Sequence, residues 1–413
     1  MNQFFSNPQT LVRLHSGPLG AYLEPYAARL HAQQFTRESA REQLRLVAHF
    51  SRWLDQRQVT AGQVTPQHAQ DYLRVRTRQG TRRANGAAAA LTRLLDLLRE
   101  MAIIAAPPDT AVPTPAARVV EEFDRYLQHE RVLALTTRIC YRAFVGQFLT
   151  ERFGAGAVEL SCLHAVDVTM FVQRHAVRPA RKRAQLMTSS LRAFLRFARQ
   201  RGDITTDLAA AVPSVAIWSF STLPRALPPA QVQRVLAHCD QATAVGRRDF
   251  ALLLLLARLG VRAGEVAALT LEDLDWRAGS LTVRGKGGSV AQLPLPHDVG
   301  SAIAAYLQHG RPRGTTSRCL FMCGRAPAVG IKGQQTVGSI VRRALARASI
   351  ASPHKGAHLF RHGLATELLR HGASLTEIGE LLRHRSPQTT ALYAKVDLVA
   401  LRTLAAAWPG GAR

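Results

Sequence analysis

Apolar residues recur at intervals of three and four through most of the chain, and the stretches that break this rhythm cut it into three segments. LRLVAHFSRWL (44–54), RRANGAAAALTRLLDLLREMAII (82–104), YRAFVGQFLTERF (141–153) and KRAQLMTSSLRAFLRFARQRGDI (182–204) each carry one apolar stripe, which predicts helices with one buried face. AAPPDTAVPTPAA (105–117) and VPSVAIWSFSTLPRALPP (212–229) are crowded with proline and small residues and cannot continue a helix. Between the first two segments a self-comparison at about 100 residues' offset sets Leu91 on Leu191, Leu94 on Phe194, Leu95 on Leu195, Arg99 on Arg199 and Ile104 on Ile204. Any two Ala/Leu/Arg-rich amphipathic helices align in part; the match favours a duplicated helical unit over coincidence. Both segments read as all-helical either way.

The third segment mixes periods. Helices are predicted over 229–238 and 247–259, and LTVRGKGGSVAQLPL then alternates β-formers about a Gly-Lys-Gly-Gly turn, a hairpin with Lys286 at its tip. Ser374 and Glu377 form a capping box that opens SLTEIGELLRH. Ser386-Pro387 reads as an N-cap followed by proline at the first helical position, which places Tyr393 in the second turn of a short helix of its own. The longest greasy run, Phe250 to Ala257, is far shorter than the roughly 20 residues a bilayer requires, so it reads as a buried helix of a soluble protein with no membrane partner.

A chain of 413 residues supports two or three domains. Charge narrows the partner: 54 Lys+Arg against 28 Asp+Glu leave a formal net charge of +26, self-repelling unless a polyanion sits against it, and nucleic acid is the leading candidate. Only five of the basic residues are lysine. A GC-rich genome accounts for the preference for arginine but not for the net charge. Basic clusters precede the last helix of each helical segment, Arg78, Arg82 and Arg83 in the first and Arg178, Arg181, Lys182 and Arg183 in the second; in a chain this basic, phosphate contact weighs at least as much as a solvated face. Five cysteines at irregular spacing and a start without a long apolar core point to a reduced, intracellular protein. Cys319 and Cys323 have no second Cys/His pair at zinc spacing, so they read as core thiols; no metal or other cofactor is expected.

Five short motifs remain: GVRAGE (260–265), RGKGG (284–288), HLFRHG (358–363), LLRH (381–384) and SPQTTALY (386–393). Each is weak by itself, since an arginine beside Glu265, a turn lysine, a helix-end histidine or a tyrosine on a Leu-rich helix all have ordinary structural explanations. In this order and spacing, over about 170 residues, they resemble the catalytic domain of the tyrosine recombinase (phage integrase) family. Carried over by position, the resemblance makes Arg262 and Arg361 the catalytic arginines, Lys286 the hairpin lysine, His358 the first and His384 the later histidine, and Tyr393 the nucleophile. Glu265 and His362 match supporting positions. Phe360 stands where leucine is common, and Arg383 where glycine usually precedes the later histidine.

The chemistry needs such a set. A phosphodiester under attack gathers charge on its non-bridging oxygens, and two guanidiniums offer planar forks to it without a metal. A tyrosine with a pKa of about 10 needs a base and nearby positive charge, for which His358 is the expected base. The departing 5′-oxygen needs a proton, which Lys286 can bring; His384 would hydrogen-bond the phosphate.

The resemblance implies a multidomain protein with all-α N-terminal DNA-binding modules and a mixed α+β, mainly helical catalytic domain holding a small antiparallel sheet. The expected divisions are an extra helical domain at 1–105, a core-binding helical domain at 118–205, a linker at 206–228, a catalytic domain at 229–396, and a C-terminal segment at 397–413 that docks on a neighbouring protomer. Residues 1–105 read as a second core-type module, an arm-site binder or a protein-contact domain, with the basic cluster near Arg82 favouring DNA. The implied activity is site-specific recombination of double-stranded DNA sites by a homotetramer, alone or with related recombinases, through a 3′-phosphotyrosine and a Holliday junction, in the bacterial cytoplasm on the nucleoid. A type IB topoisomerase and a non-catalytic DNA-binding protein on the same fold are the competing classes.

Overall fold

The computed structural model describes residues 1–413 other than 2, 79–85, 106–112, 177–180, 216–225, 286–287, 354, 385 and 397–413, with backbone alone for Arg181, Lys395 and Val396. Lys286, Arg82, Arg83, Arg178 and the expected docking segment 397–413 therefore lie outside the described residues. Contacts divide the chain into two compact units, one of Met1–Ala106 with Thr222–Arg413 and one of Pro107–Ser221.

The N-terminal helices are α1 (Pro8–Leu14), α2 (Leu23–Ala32), α3 (Arg37–Asp55), α4 (Pro66–Arg78) and α5 (Ala87–Glu100). Asn7 caps α1 and Thr36 caps α3, each side chain accepting from backbone N–H groups of the first turn. Leu91, Leu94, Leu95 and Leu98 of α5 face inward against Leu44, Val47, Phe50 and Leu54 of α3 in a core distinct from the one built between Leu227 and Phe360. Both cores nevertheless belong to the same compact unit, and the Ala328 N–H donates to the Gln33 carbonyl at 3.3 Å.

The second unit holds α6 (Pro115–His129), α7 (Leu135–Phe153), α8 (Ala165–Ala176) and α9 (Arg181–Gln200), wrapped on an aromatic centre in which Phe123 meets Phe194 edge-on at 5.4 Å. Its core extends past the helices to Leu208, Ala209 and Val212. The expected linker at 206–228 is thus shorter than its composition suggests: 208–212 pack into the helical unit, and Leu227 is buried in the catalytic core, its N–H donating to the Leu359 carbonyl at 3.3 Å.

The catalytic body comprises α10 (Pro229–Ala237), α11 (Ala244–Leu259), α12 (Ala263–Ala268), an antiparallel sheet, α13 (His297–His309), α14 (Gly333–Arg347), α15 (His358–Arg370), α16 (Leu375–Leu381) and α17 (Pro387–Ala391). The sheet runs in the order β1 (Leu274–Asp275), β2 (Ser280–Arg284), β3 (Val290–Pro294), with Leu281 opposite Leu293 and Val283 opposite Ala291. Leu252, Leu253, Leu255 and Leu256 make α11 apolar nearly all round, as befits a central helix. The Ser374–Glu377 capping box forms. At Ser386 the reading needs correction: it occupies the N-cap position, but its side chain makes no capping bond, and α17 gives way at Leu392–Val396 to a 3₁₀ turn, where Tyr393 lies. Cys319 and Cys323 are only half-buried rather than deep core thiols, and all five cysteines are unpaired. Among the described residues no helix is long and apolar enough to cross a membrane.

Candidate active site

Two turns of chain far apart in sequence converge on Arg361. Gly260 ends α11 in the left-handed region at φ 55°, and a Cβ there would lie 2.7 Å from Leu382 Cδ2, so glycine is required twice over. That close approach exposes the Gly260 carbonyl to Arg361, whose Nη1 donates to it at 2.5 Å while Nη2 donates to the Leu382 carbonyl. Arg361 is 3% exposed. Burial, with the charges of Arg262 and Arg383 adding to it, pushes its pKa down to about 10, so it still carries its charge at neutral pH.

Arg262 is the N-cap of α12, and Glu265, one turn on, accepts from its backbone N–H at 2.9 Å and from its guanidinium at 2.7 Å. Glu265 also accepts from Arg383 Nη2 at 2.9 Å, and Arg262 reaches back to the Arg383 carbonyl at 3.3 Å. Burial pushes the Glu265 carboxyl upward, but the hydrogen bonds from Arg262 and the charge of Arg383 outweigh it and hold the group below the ordinary carboxylate range. Two guanidiniums thus pair with one carboxylate, and the Arg361 guanidinium feels both of their charges, an excess of positive charge suited to an anion.

Arg383, marked in the sequence only as a departure from glycine, sits at φ 55°, the left-handed conformation that favours glycine. Its ion pair with the buried Glu265 opposes the local strain. A pairing across 118 residues leaves no local trace in the sequence, so its part in the site was not legible.

Tyr393 is buried to 1% exposure, and burial drives its pKa up to about 12, against the pull of Arg361. Its hydroxyl lies 2.8 Å from His362 Nδ1. The sequence assigned the base to His358; here the imidazole on the hydroxyl is His362, one helical turn later, with the His358 ring 6.1 Å from that of His362. Two histidines four apart on α15 share a face, so spacing could not choose between them. Burial first, then the charges of His358 and Arg361, brings His362 down to about 4, so it is neutral near pH 7. His384 lies parallel to the Tyr393 ring at 6.4 Å and 5°, and its Nδ1 meets Thr390 Oγ1 at 2.7 Å, a partner the sequence did not single out. Burial and the surrounding arginines bring His384 down to about 4 as well.

Five of the six expected catalytic positions are therefore gathered in one place, and Lys286 lies outside the described residues. Of the basic candidates elsewhere, Arg78 is exposed at the end of α4, Lys182 and Arg183 are exposed at the start of α9 with Arg183 over the Phe144 ring, and nothing is described of the Arg181 side chain. A cleft of about 1220 Å³, lined by α3, α5 and the catalytic body, holds none of these site residues. Among the described residues no cluster of three or more His, Cys, Asp or Glu could hold a metal.

Similarity to known proteins agrees with this geometry. The phage integrase family profile matches residues 225–398. A putative integrase/recombinase of Sinorhizobium fredii, y4rA, is 48% identical over the full length of both chains. Tyrosine recombinase XerC of Rhodospirillum centenum is 33% identical over 68% of this chain and 84% of its own. Among solved structures, the XerH site-specific recombinase in its post-cleavage complex with a palindromic difH substrate shares the fold at TM-score 0.56 and 17% identity, over 72% of this chain and 98% of that one. The chain belongs to the tyrosine recombinase (phage integrase) family. It is a site-specific recombinase, an enzyme that breaks and rejoins DNA strands.

Proposed function

We propose that Tyr393 attacks a DNA phosphodiester held by Arg262, Arg361 and Arg383. One observation carries this reading: the buried Tyr393 hydroxyl rests on a neutral imidazole beside three guanidiniums, two of which share a single carboxylate. The tyrosine oxygen forms a bond to phosphorus, the P–O5′ bond breaks, and the products are a 3′-phosphotyrosine and a free 5′-hydroxyl. His362 takes the phenolic proton. His358, three residues before Arg361 on the same helix, and His384 donate to the non-bridging oxygens, while Glu265 orients Arg262 and Arg383. Lys286, at the hairpin tip, brings the proton to the 5′-oxygen. The stored phosphotyrosyl bond then allows resealing by a second 5′-hydroxyl without ATP.

The partner is a pair of double-stranded recombination sites, gripped by the catalytic body and the 115–212 helices through Lys182, Arg183 and their neighbours Arg178 and Arg181. Strand exchange proceeds within a homotetramer whose C-terminal segments, 397–413, dock on adjacent protomers. A cytoplasmic enzyme carried by a mobile element fits this activity. The test is a nicked suicide substrate made from DNA flanking the gene. A covalent adduct that forms in EDTA and maps to the peptide containing Tyr393 is expected; an adduct elsewhere, or none without a divalent metal, would overturn the assignment.

A further inference from the structure

The two helical units correspond element by element. α3 and α7 are both 19 residues long and begin 98 positions apart, at Arg37 and Leu135. The residues before them, Gln34 and Val132, are left-handed at φ 60° and 46°. Short 3₁₀ turns follow at Ala61–Gln63 and Leu160–Cys162, 99 positions apart. After α5 and α9 the Ile103 N–H bonds to the Leu98 carbonyl and the Asp203 N–H to the Ala198 carbonyl, 100 positions apart. The interiors match too: Phe50 and Tyr72 have ring centroids 5.1 Å apart, and their counterparts Phe148 and Phe171 are 5.2 Å apart. Two unrelated helical bundles have no reason to share a 19-residue helix, the positions of the turns around it and a cross-helix aromatic pair at once.

One surface corner differs. In the second unit Glu151 of α7 accepts from Gln147 at 2.9 Å and from Arg174 at 3.2 Å, and meets His175 at 2.9 Å, so the cations there are neutralised. In the first unit Trp53 stands in the place of Glu151, His49 in that of Gln147 and Arg76 in that of His175. Arg52 lies 3.1 Å from His49, Arg76 hydrogen-bonds the Tyr72 hydroxyl, and Arg57 stacks 3.9 Å over the Trp53 ring. Among the described residues none of Arg52, Arg57 and Arg76 forms an ion pair, and His49 is held below the ordinary histidine range by partial burial and by Arg52 and Arg76. Residues 23–104 as a whole carry 13 arginines against seven carboxylates. Three unneutralised guanidiniums beside an aromatic ring form a surface that fits phosphates rather than an acidic side chain, which the sibling unit already supplies from within.

We infer that the N-terminal unit is a second copy of the 115–204 module and that its Arg52, Arg57 and Arg76 corner binds the phosphate backbone of duplex DNA, lengthening the protein's hold on each site. The inference rests on the reading that the 115–212 helices grip DNA, but not on the assignment of Tyr393. Binding of the full-length protein to a labelled mixed-sequence duplex is measured by anisotropy across a salt series. Loss of two phosphate contacts lowers the slope of log affinity against log salt by about 2. The Arg52→Ala/Arg76→Ala protein is expected to show that drop, whereas Arg74→Ala/Arg99→Ala, which removes the same charge from arginines already paired with Asp71 and Asp96, keeps the wild-type slope. Arg52→Gln/Arg76→Gln provides the same comparison if the alanine protein does not fold. An unchanged slope in a folded Arg52/Arg76 variant, or equal drops in both pairs, overturns the inference. Because no cleavage is read, a failed Tyr393 assignment would leave this outcome intact.

Discussion

In the 115–212 helical unit the deepest contacts are between rings, Phe148 against Phe171 on neighbouring helices and Phe123 against Phe194 on the first and last helices of the unit. At the catalytic centre they are between charged side chains and backbone carbonyls: Arg361 ties Gly260 to Leu382, and Glu265 ties Arg262 to Arg383 across more than a hundred residues. Apolar packing tolerates exchange of one ring for another, as the Tyr72 and Phe171 counterparts show. A buried guanidinium tolerates almost none, because each carbonyl it leaves is stranded in a dry site. Shape in the helical units is thus spread over many small contacts, and at the centre it is concentrated in a few.

Substitutions can break this contrast in order of size. Removing the nucleophile tests chemistry alone: Tyr393→Phe should lower covalent adduct formation by more than about 10⁴-fold while unfolding at the wild-type temperature, since only the hydroxyl is lost. Arg361→Ala should lose both, with adduct formation abolished and the catalytic unit destabilised by about 4 kcal/mol in urea unfolding, because two carbonyls lose their donor. Phe123→Ala should cost about 3–4 kcal/mol in the helical unit. It should weaken DNA binding yet leave the catalytic unit's own transition unmoved; a joint shift would mean that the two units do not unfold separately.

Acid sharpens the comparison further. His362 and His384 have folded pKa values of about 4, below the ordinary histidine value of 6.5. Above pH 6.5 both states are neutral and the full stability is present; as pH falls from 6.5 towards 4 the unfolded chain takes up protons that the folded centre refuses. Stability of the catalytic unit should therefore decline across that window, by less than the ~3 kcal/mol per histidine that the full shift would give because both rings are partly open to solvent, and the decline should shrink in His384→Gln. The smallest effect is expected at Arg383→Gly, where relief of the left-handed strain offsets the lost ion pair to within about 1 kcal/mol. Its adduct yield at low DNA concentration should still fall, since Glu265 then holds Arg262 alone.

The same contrast explains what the sequence disclosed. The apolar stripe Leu91, Leu94, Leu95 and its counterpart Leu191, Phe194, Leu195 was legible because helical period is a local property, and all six residues are buried. Glu265 was legible because its partner Arg262 lies three residues away. The carbonyls of Gly260 and Leu382 could not be read, since any residue has a carbonyl and only the fold aims it. The contact of His362 with the Tyr393 hydroxyl was not legible because one helix face carries both His358 and His362. Thr390 was hidden in a run of ordinary helix formers, and the 3₁₀ winding at Tyr393 has no residue signature.

One contact at the entrance to the catalytic body acts as a mechanical coupling. The Leu227 N–H is bonded to the Leu359 carbonyl, and the Leu227 carbonyl passes so close to Gly363 that a Cβ there would lie 2.8 Å from it. The chain arriving from the helical unit is therefore strapped across α15 beside His362. Any load carried along the chain at Leu227 is therefore passed to α15, the helix that holds His358, Arg361 and His362.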